Sequence, residues 1–213
     1  MYKRQGILRI CNEKGLPLDL NWLVDIAAVL IQPKFDKSID KEQILDFLFG
    51  RLKSMYQDQG VDSKVVQSVL ARRPGNPSDF DSRVKAVHEF VDHPAAETLI
   101  AANKRVANIL RKSQEEERLQ LASEVNTTLL ELEQEVQLHQ AVLEVHGEVI
   151  TLVNESRYTD ALTKLAGLKD TIDGFFDNVM VNADNVEIKK NRLKLLSDLR
   201  TMFLHIADVS LLN

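Results

Sequence analysis

Apolar side chains recur at intervals of three and four residues along most of the 213-residue chain, whereas the strict alternation expected of strands is nearly absent. A stripe of this kind occupies one face of a helix and must pack against other helices to leave water. The pattern therefore predicts an all-α fold, arranged as a helical bundle. The clearest stripe lies near the end of the sequence and consists of Leu195, Leu199, Met202, Ile206 and Val209.

Proline divides the chain into two parts with different helix lengths. All five prolines lie at or before Pro94, so no later helix loses a backbone donor to proline. We interpret residues 1–93 as a helical region that precedes a long-helix bundle formed by residues 94–213. The predicted short helices are 4–14, 19–32, 40–59, 63–72 and 81–92, with Asp19, Asp40 and Ser63 as N-caps. The predicted long helices are 95–113, 115–154, 157–177 and 186–211.

The net charge of −5 at pH 7 is unevenly distributed. Nine acidic residues and a single basic residue, Arg118, lie between Ser113 and Glu148, which gives this stretch a charge of −8 and leaves +3 for the rest. An acidic average argues against a nucleic-acid partner, because phosphate binding needs positive potential. Since the acidic residues are concentrated in one stretch, an RNA-binding surface elsewhere on the molecule is compatible with the composition.

Several classes of protein lack their signatures in this sequence. No apolar run approaches the roughly 20 residues that span a bilayer, and the first residues lack the apolar core of a signal peptide, so we expect a cytoplasmic protein. The single cysteine, Cys11, excludes an internal disulfide. The eight glycines form no phosphate-cradling loop. We therefore expect no catalytic centre in this chain.

The strongest candidate for a metal site is the group His88, Asp92 and His93. Residues four apart on a helix present their side chains to the same side, which would bring His88 and Asp92 together. The other interpretation is a solvated helix end, because His93 precedes Pro94. The other three histidines belong to no second ligand motif, and we expect no bound metal.

Basic residues gather on the predicted outward faces of two helices. In the helix over 95–113, the apolar residues that face inward are Leu99, Ala102, Val106 and Ile109. The outward side then carries Lys104, Arg105, Asn108, Arg111 and Lys112. The second cluster follows the Asp184-Asn185 turn and consists of Lys189, Lys190, Arg192 and Lys194. Each cluster is either a phosphate-binding surface or an ordinary solvated face.

Four residues have two interpretations each. Arg192 either extends its guanidinium to a base or phosphate, or pairs with a carboxylate of a neighbouring helix. Asn103 falls near the apolar seam, and because a buried amide needs partners we expect it to brace a neighbouring helix end rather than contact a base. Phe175 and Phe176 suit base stacking, but their helical spacing favours a place in the core.

Three segments of the sequence resemble, in the same order, one known protein family. They are Leu8-Arg9-Ile10 through Leu16-Pro17-Leu18-Asp19-Leu20, the segment from Ala101 to Leu110, and the end of the chain from Phe175 to Leu212. On these segments the chain is similar to the bacterial glycyl-tRNA synthetase β subunit. Because a whole β subunit is several times longer, the resemblance implies a C-terminal fragment of it.

The resemblance implies an all-helical anticodon-binding domain, named in related synthetases for an Asp-Ala-Leu-Arg motif. The corresponding segment here reads Asp160-Ala161-Leu162-Thr163, with threonine in the arginine position. It also implies that this part of a glycine-tRNA ligase recognises tRNA(Gly). We predict that the tRNA-binding residues are those of the two basic clusters. The chemistry, with ATP and Mg, is expected at a separate α subunit. For this chain no cofactor, membrane or DNA contact is implied.

Two other functions stay open at this point. Wide apolar faces and a long acidic stretch also suit a helical module that docks a protein partner. A metal-dependent phosphohydrolase built on His88, Asp92 and His93 is the third alternative. The tRNA hypothesis requires that cations from separate stretches lie together outside the bundle and are not covered by glutamates from its middle helix.

Overall fold

The computed structural model describes residues 6–36, 38–115 and 118–213. Within these ranges the chain forms helices and turns without a strand, so the predicted all-α bundle is confirmed. The helices are α1 (Gly6–Glu13), α2 (Leu20–Ile31), α3 (Lys41–Asp58), α4 (Ser63–Leu70), α5 (Pro77–Val91), α6 (Ala96–Glu115), α7 (Glu133–Asn154), α8 (Tyr158–Ala166), α9 (Lys169–Asn178) and α10 (Val186–Leu204). Short 3₁₀ turns within the same ranges lie at Gln32–Lys34, Thr127–Leu129 and Val209–Leu212. Residues 4 and 5 of the predicted helix 4–14 lie outside the described residues.

Aspartate side chains start three of the short N-terminal helices. Asp19 and Asp40 each accept a hydrogen bond at 3.0 Å from the backbone N–H three residues ahead, so both predicted N-caps are confirmed. The prediction for Ser63 is wrong by one residue. Asp62 caps α4 instead, because its carboxylate accepts from the Lys64 N–H at 2.7 Å.

The predicted helix over 115–154 is wrong in its first part. α6 and α7 are separate helices, and the segment 118–132 between them is irregular apart from one 3₁₀ turn. The Asn191 side chain holds this segment by bonding to both the N–H and the carbonyl oxygen of Asn126, at 2.7 and 3.0 Å. The Glu135 carboxylate accepts from the N–H groups of Glu131 and Leu132, which come just before α7, at 3.0 and 2.9 Å. These side chains satisfy backbone groups that a continuous helix would pair internally.

Two other predicted helices are divided or shortened. The predicted helix 157–177 consists of α8 and α9, with a break at Gly167 and Leu168. The predicted helix 186–211 ends at Leu204, and the chain then turns before the terminal 3₁₀ turn. The apolar stripe that predicted a single last helix is nevertheless buried along its whole length, because the terminal turn packs its apolar side chains into the same core.

One hydrophobic core connects the two parts of the chain. α5 packs along α8, and both α4 and α6 pack against the terminal turn Val209–Leu212. Hydrogen bonds cross between the same parts: Arg83 of α5 donates to the carbonyl oxygens of His205 and Ile206 at 2.5 and 2.8 Å. The helices before and after Pro94 therefore share one core.

Large apolar side chains that stay in water are concentrated on α2, on α3 and between these helices. Within this stretch the most exposed are Val29 and Leu30, with exposed fractions of 70% and 69%. The others in this stretch are Trp22, Ile26, Ile31, Phe35, Ile44 and Phe47. Such a concentration is typical of a surface that contacts another molecule. No helix within the described ranges is long and apolar enough to cross a membrane.

Candidate nucleic-acid interface

The basic side of α6 is exposed, as its pattern predicts. Leu99, Ala102 and Val106 are buried against the core, and Ile109 is half-buried. Because α6 is oriented with this face toward the core, its opposite face is in water. That opposite face, here called the α6 basic face, carries Lys104, Arg105, Asn108, Arg111 and Lys112, all of them exposed.

Lys104 and Arg111 of the α6 basic face make only weak polar contacts. Lys104 donates to the carbonyl oxygen of Asn213 at 3.5 Å. Arg111 pairs with Glu115 on its own helix at 3.1 Å, but both side chains are more than half exposed. Exposed ion pairs of this kind contribute little to stability, because water and salt screen them. A phosphate can therefore compete for these side chains at small cost.

Arg105 borders a groove between α6 and the end of α9 with the segment that follows it. The groove has a volume of about 410 Å³ and is lined on one side by Arg105 and Ile109, and on the other by residues 176–182. The Arg105 guanidinium carbon lies 4.3 Å from the centre of the Phe176 ring. That distance is typical of a cation–π contact, which holds the guanidinium at the mouth of the groove.

The two phenylalanines beside this groove have different places. Phe175 is fully buried, which confirms the core interpretation for that residue. Phe176 is half-buried and meets Phe175 edge to face, with ring centres 5.6 Å apart. The Phe176 ring is thus part of the groove wall rather than of the core.

The second basic cluster, on α10, is largely engaged within its own helix. Lys190 pairs with Glu187 at 2.9 Å, and Lys194 pairs with Asp198 at 2.5 Å. Lys189 is half-buried. Partial burial and local carboxylates reduce the positive potential that this cluster offers to a phosphate.

Of the two interpretations of Arg192, the ion pair with a carboxylate of a neighbouring helix is confirmed, and the guanidinium that reaches outward to RNA is wrong. Its side chain is 7% exposed and forms a buried ion pair with Glu135 of α7, with Nε to Oε1 at 2.7 Å. Burial alone raises the pKa of Glu135, but the hydrogen bond from Arg192 and those from the Leu132 and Glu131 amides outweigh it and lower that pKa overall. A glutamate of the middle helix therefore covers this cation, and Arg192 is not available to RNA.

Arg192 instead supports the groove from inside. Its guanidinium also donates to the carbonyl oxygen of Met180 at 3.0 Å, and Met180 belongs to the groove wall. Val179 and Val181 on either side of Met180 are buried, whereas Met180 itself is 75% exposed. The core and the ion pair together fix the backbone of this wall.

A second groove, of about 240 Å³, lies where α6 packs on α10. Its donors include Arg111 of the α6 basic face and Arg200 of α10, together with Ser197 and Thr201. Arg200 also pairs with Asp208 at 2.8 Å. Arg200 was missed by the sequence reasoning, because nothing in its neighbourhood along the chain indicates that it lies beside Arg111.

Asn103 does not brace a neighbouring helix. It is buried, but its amide nitrogen donates to the carbonyl oxygen of Leu99 on the same helix, at 3.0 Å. That expectation is wrong because a carbonyl four residues back lies within reach of a side-chain amide and satisfies it locally.

The histidine group at the end of α5 has the geometry of a helix end. His88 is exposed, and His93 accepts a hydrogen bond from the Ala95 N–H through Nδ1 at 3.1 Å. The His93 ring stacks on Phe90, with ring centres 6.1 Å apart. In the part of the chain that the structure describes, no group of three or more histidine, cysteine, aspartate or glutamate side chains is placed to hold a metal ion.

Together these features define a class: an all-helical domain that presents a basic helix face next to a groove with an arginine and an aromatic ring in its wall. A family model described as the DALR anticodon binding domain matches residues 99–209, about half of the chain. The chain belongs to the DALR anticodon binding domain family. The match includes α6 from Leu99 onward, all of α10 and both grooves.

Curated relatives match almost the whole chain. The glycine–tRNA ligase beta subunits of Glaesserella parasuis serovar 5 (strain SH0165), Pasteurella multocida (strain Pm70) and Haemophilus influenzae (strain PittGG) are each 45% identical to it over 208 residues. These matches cover 98% of this chain but only 30% of each relative. The predicted resemblance to the glycyl-tRNA synthetase β subunit is confirmed.

Proposed function

We propose that this chain recognises tRNA(Gly), including its anticodon, as part of a glycine–tRNA ligase. The observation that carries the proposal is the α6 basic face, which lies beside the groove of Arg105 and Phe176 inside the region matched by the anticodon-binding family. In this proposal residues 94–213 form the anticodon-binding part and residues 1–93 the helical region before it.

The α6 basic face supplies charge for the RNA backbone. Lysine and arginine neutralise phosphates and release counterions, so their contribution falls as salt rises. The tRNA-binding side chains in the proposal are Lys104, Arg105, Asn108, Arg111 and Lys112, with Lys189, Lys190 and Lys194 as a weaker second group. Arg192 leaves the proposed set because it is buried against Glu135.

The groove supplies a place for a base. Glycine codons begin with two guanines, so the matching anticodon contains two cytosines. Bases of an anticodon loop can be splayed out and stacked on aromatic rings or guanidinium groups. Phosphate contacts would orient the tRNA while base contacts select it.

The bound tRNA is then charged elsewhere. We place ATP-dependent attachment of glycine, with ATP and Mg, at a separate α subunit, and we place the assembly in the cytoplasm. In this arrangement the chain presents the acceptor end of the tRNA to that partner and contributes no catalytic group.

The test of the α6 basic face is a filter-binding titration with tRNA(Gly) at several salt concentrations. We expect the double variant Lys104→Ala/Arg105→Ala to bind roughly tenfold more weakly and to make the negative slope of log K against log salt shallower by about one to two. Charge removal at Lys64 and Lys85, on α4 and α5, provides a control with the same charge change. An unchanged slope in the first variant, or an equal loss in both, would contradict this surface.

One observation favours the alternative of a protein-interaction module. The exposed apolar side chains of α2 and α3 suit contact with a protein, and they lie outside the region matched by the anticodon-binding family. The same titration separates the two functions. Absence of salt-dependent tRNA binding by the wild-type chain would leave the interaction module as the better proposal.

A further inference from the structure

The groove beside Arg105 has walls that suit the face of a nucleic-acid base. The Arg105 guanidinium and the Phe176 ring are already in contact at 4.3 Å, and Phe176 is supported by the buried Phe175. Ile109 and the exposed Met180 add apolar contact on either side. Guanidinium planes, aromatic rings and apolar side chains are the groups on which single-stranded bases stack.

The polar groups of the groove are rich in acceptors. Asp177 is exposed, and its carboxylate can only accept hydrogen bonds. Asn178 donates its amide to the Gly174 carbonyl oxygen at 2.8 Å, so its side-chain oxygen remains as an acceptor. The exposed Asn182 amide offers one acceptor and donors.

This acceptor-rich edge distinguishes between the pyrimidines. Cytosine carries an amino donor at N4, where uracil carries the acceptor O4. A carboxylate that faces this position accepts a hydrogen bond from the cytosine amino group. Opposite uracil, the carboxylate and O4 are both acceptors and repel each other. Aspartate is accordingly one of the side chains that pair with the cytosine amino group.

The wall that carries Asp177 is held in place before any ligand binds. Val179 and Val181 are anchored in the core, and the Met180 carbonyl oxygen accepts from the buried Arg192 at 3.0 Å. A backbone that is already ordered reduces the entropy lost when a ligand binds to this wall.

We propose that this groove holds one unstacked cytosine of the anticodon, with the base stacked at Arg105 and Phe176 and its N4 amino group donating to the Asp177 carboxylate. The inference rests on the proposed function, since it assigns one base of the bound tRNA to a place on this chain. Arg192 acts here as a positioning residue, through the Met180 backbone.

The experiment compares two single-charge variants on two kinds of RNA. Asp177→Asn replaces the proposed acceptor with an amide that can also donate to uracil O4. Asp170→Asn, on the same helix and 97% exposed at its side chain, makes the same charge change outside the groove. Each protein is titrated with tRNA(Gly) and with versions in which one or the other anticodon cytosine is replaced by uridine.

For the wild-type chain we expect a preference for cytosine at one anticodon position of roughly 5- to 150-fold. Asp177→Asn should collapse that ratio toward one, mainly by improved binding of the uridine RNA. Asp170→Asn should strengthen binding of all RNAs alike and keep the ratio, because it removes a charge and an exposed pair with Lys169 that both lie outside the groove.

The outcomes separate the two proposals. If the wild-type chain discriminates cytosine from uridine but Asp177→Asn keeps the same ratio, the groove assignment is overturned and tRNA recognition stands. If the wild-type chain binds tRNA without any preference at either cytosine, base reading is overturned while phosphate binding stands. If the wild-type chain binds no tRNA, the proposed function itself fails.

Discussion

Arg192 and Glu135 lie 57 residues apart in the sequence, yet two hydrogen bonds join their side chains inside the bundle, at 2.7 and 3.2 Å. Taking either charge out of water is costly, and the cost is offset only while the partner and its hydrogen bonds are present. Each residue therefore makes the burial of the other possible. The same guanidinium holds the Met180 carbonyl, so this pair also determines the shape of the groove.

Removal of one charge of the buried Arg192–Glu135 pair should lower the stability of the protein far more than loss of an exposed ion pair. We expect Glu135→Gln to lower the free energy of unfolding by about 3 kcal/mol, because Arg192 stays buried and its remaining counter-charge, Glu131 at 3.4 Å, is more than half exposed. Glu187→Gln breaks the exposed pair with Lys190 on α10 and should change stability by less than about 1 kcal/mol. Urea denaturation followed by circular dichroism measures both, and equal losses would argue against the assigned role of burial.

The same pair has a pH signature. The pKa of Glu135 is lowered in the folded protein, so its ionised form favours folding. This stability is fully present above the ordinary glutamate pKa of about 4.3 and is lost as pH falls through the lower folded value. The stability difference between the wild-type chain and Glu135→Gln should therefore shrink below about pH 4.

At the scale of elements, the N-terminus of α2 depends on a close approach of the loop before α5. The Leu20 N–H donates to the Gly75 carbonyl oxygen at 2.8 Å, and the Asp19 carboxylate caps the helix at the Trp22 N–H. A Cβ atom added to Gly75 would collide with that carboxylate and lie 2.6 Å from the Asn21 amide nitrogen. Glycine is needed here for space rather than for a special backbone conformation.

This geometry predicts a coupling between Gly75 and Asp19. Gly75→Ala should lower the free energy of unfolding by about 1 kcal/mol, because the new methyl group displaces the capping carboxylate. In the Asp19→Ala background the collision with the carboxylate is gone and only the end of the flexible Asn21 side chain has to move, so the same change should cost less or be neutral. A double-mutant cycle measures the coupling, and additive effects would contradict it.

Gly147 of α7 provides the comparison. A Cβ atom there meets nothing within 4 Å, so Gly147→Ala should stabilise the helix by roughly 0.5–1 kcal/mol. Stability changes of opposite sign for Gly75→Ala and Gly147→Ala would show that the local contact, and not the loss of a glycine, determines the effect on the free energy of unfolding.

At the scale of the whole molecule, Arg83 of α5 links the helices before Pro94 to those after it. It pairs with Asp79 at 2.8 Å, lies over the Tyr158 ring at 4.4 Å, and donates to the carbonyl oxygens of His205 and Ile206. The Tyr158 hydroxyl donates to Asp79 as well, and burial, followed by this hydrogen bond, raises the Tyr158 pKa. The helices on both sides of Pro94 thus converge on one side chain.

We expect unfolding in a single cooperative transition, with the fluorescence of Trp22 in α2 and the circular dichroism of the whole chain changing together. Arg83→Met should lower the free energy of unfolding by about 2–4 kcal/mol, because it leaves the two carbonyl groups and Asp79 without this donor. Lys85→Met, on the exposed side of the same helix, should have a much smaller effect. Two separate transitions in the wild-type chain would contradict a shared core.

The sequence predicted features that depend on residues close together in the chain. The 3.6-residue period is a local property, so it was enough to predict the all-α fold, the caps at Asp19 and Asp40, the exposed basic face of α6 and the burial of Phe175. The resemblance of three short segments was enough to predict the family. Each of these follows from residues within a few helical turns of one another or from direct similarity.

Only the tertiary structure decided which element covers which face. Arg192 has the spacing of a boundary residue, and its burial depends on Glu135, which a different helix brings to it. The irregular segment 118–132 exists because Asn191 and Glu135 satisfy its backbone groups across the bundle. The groove of Arg105 and Phe176 likewise joins two helices that are distant in sequence, and contacts of that range carry no periodic signal along the chain.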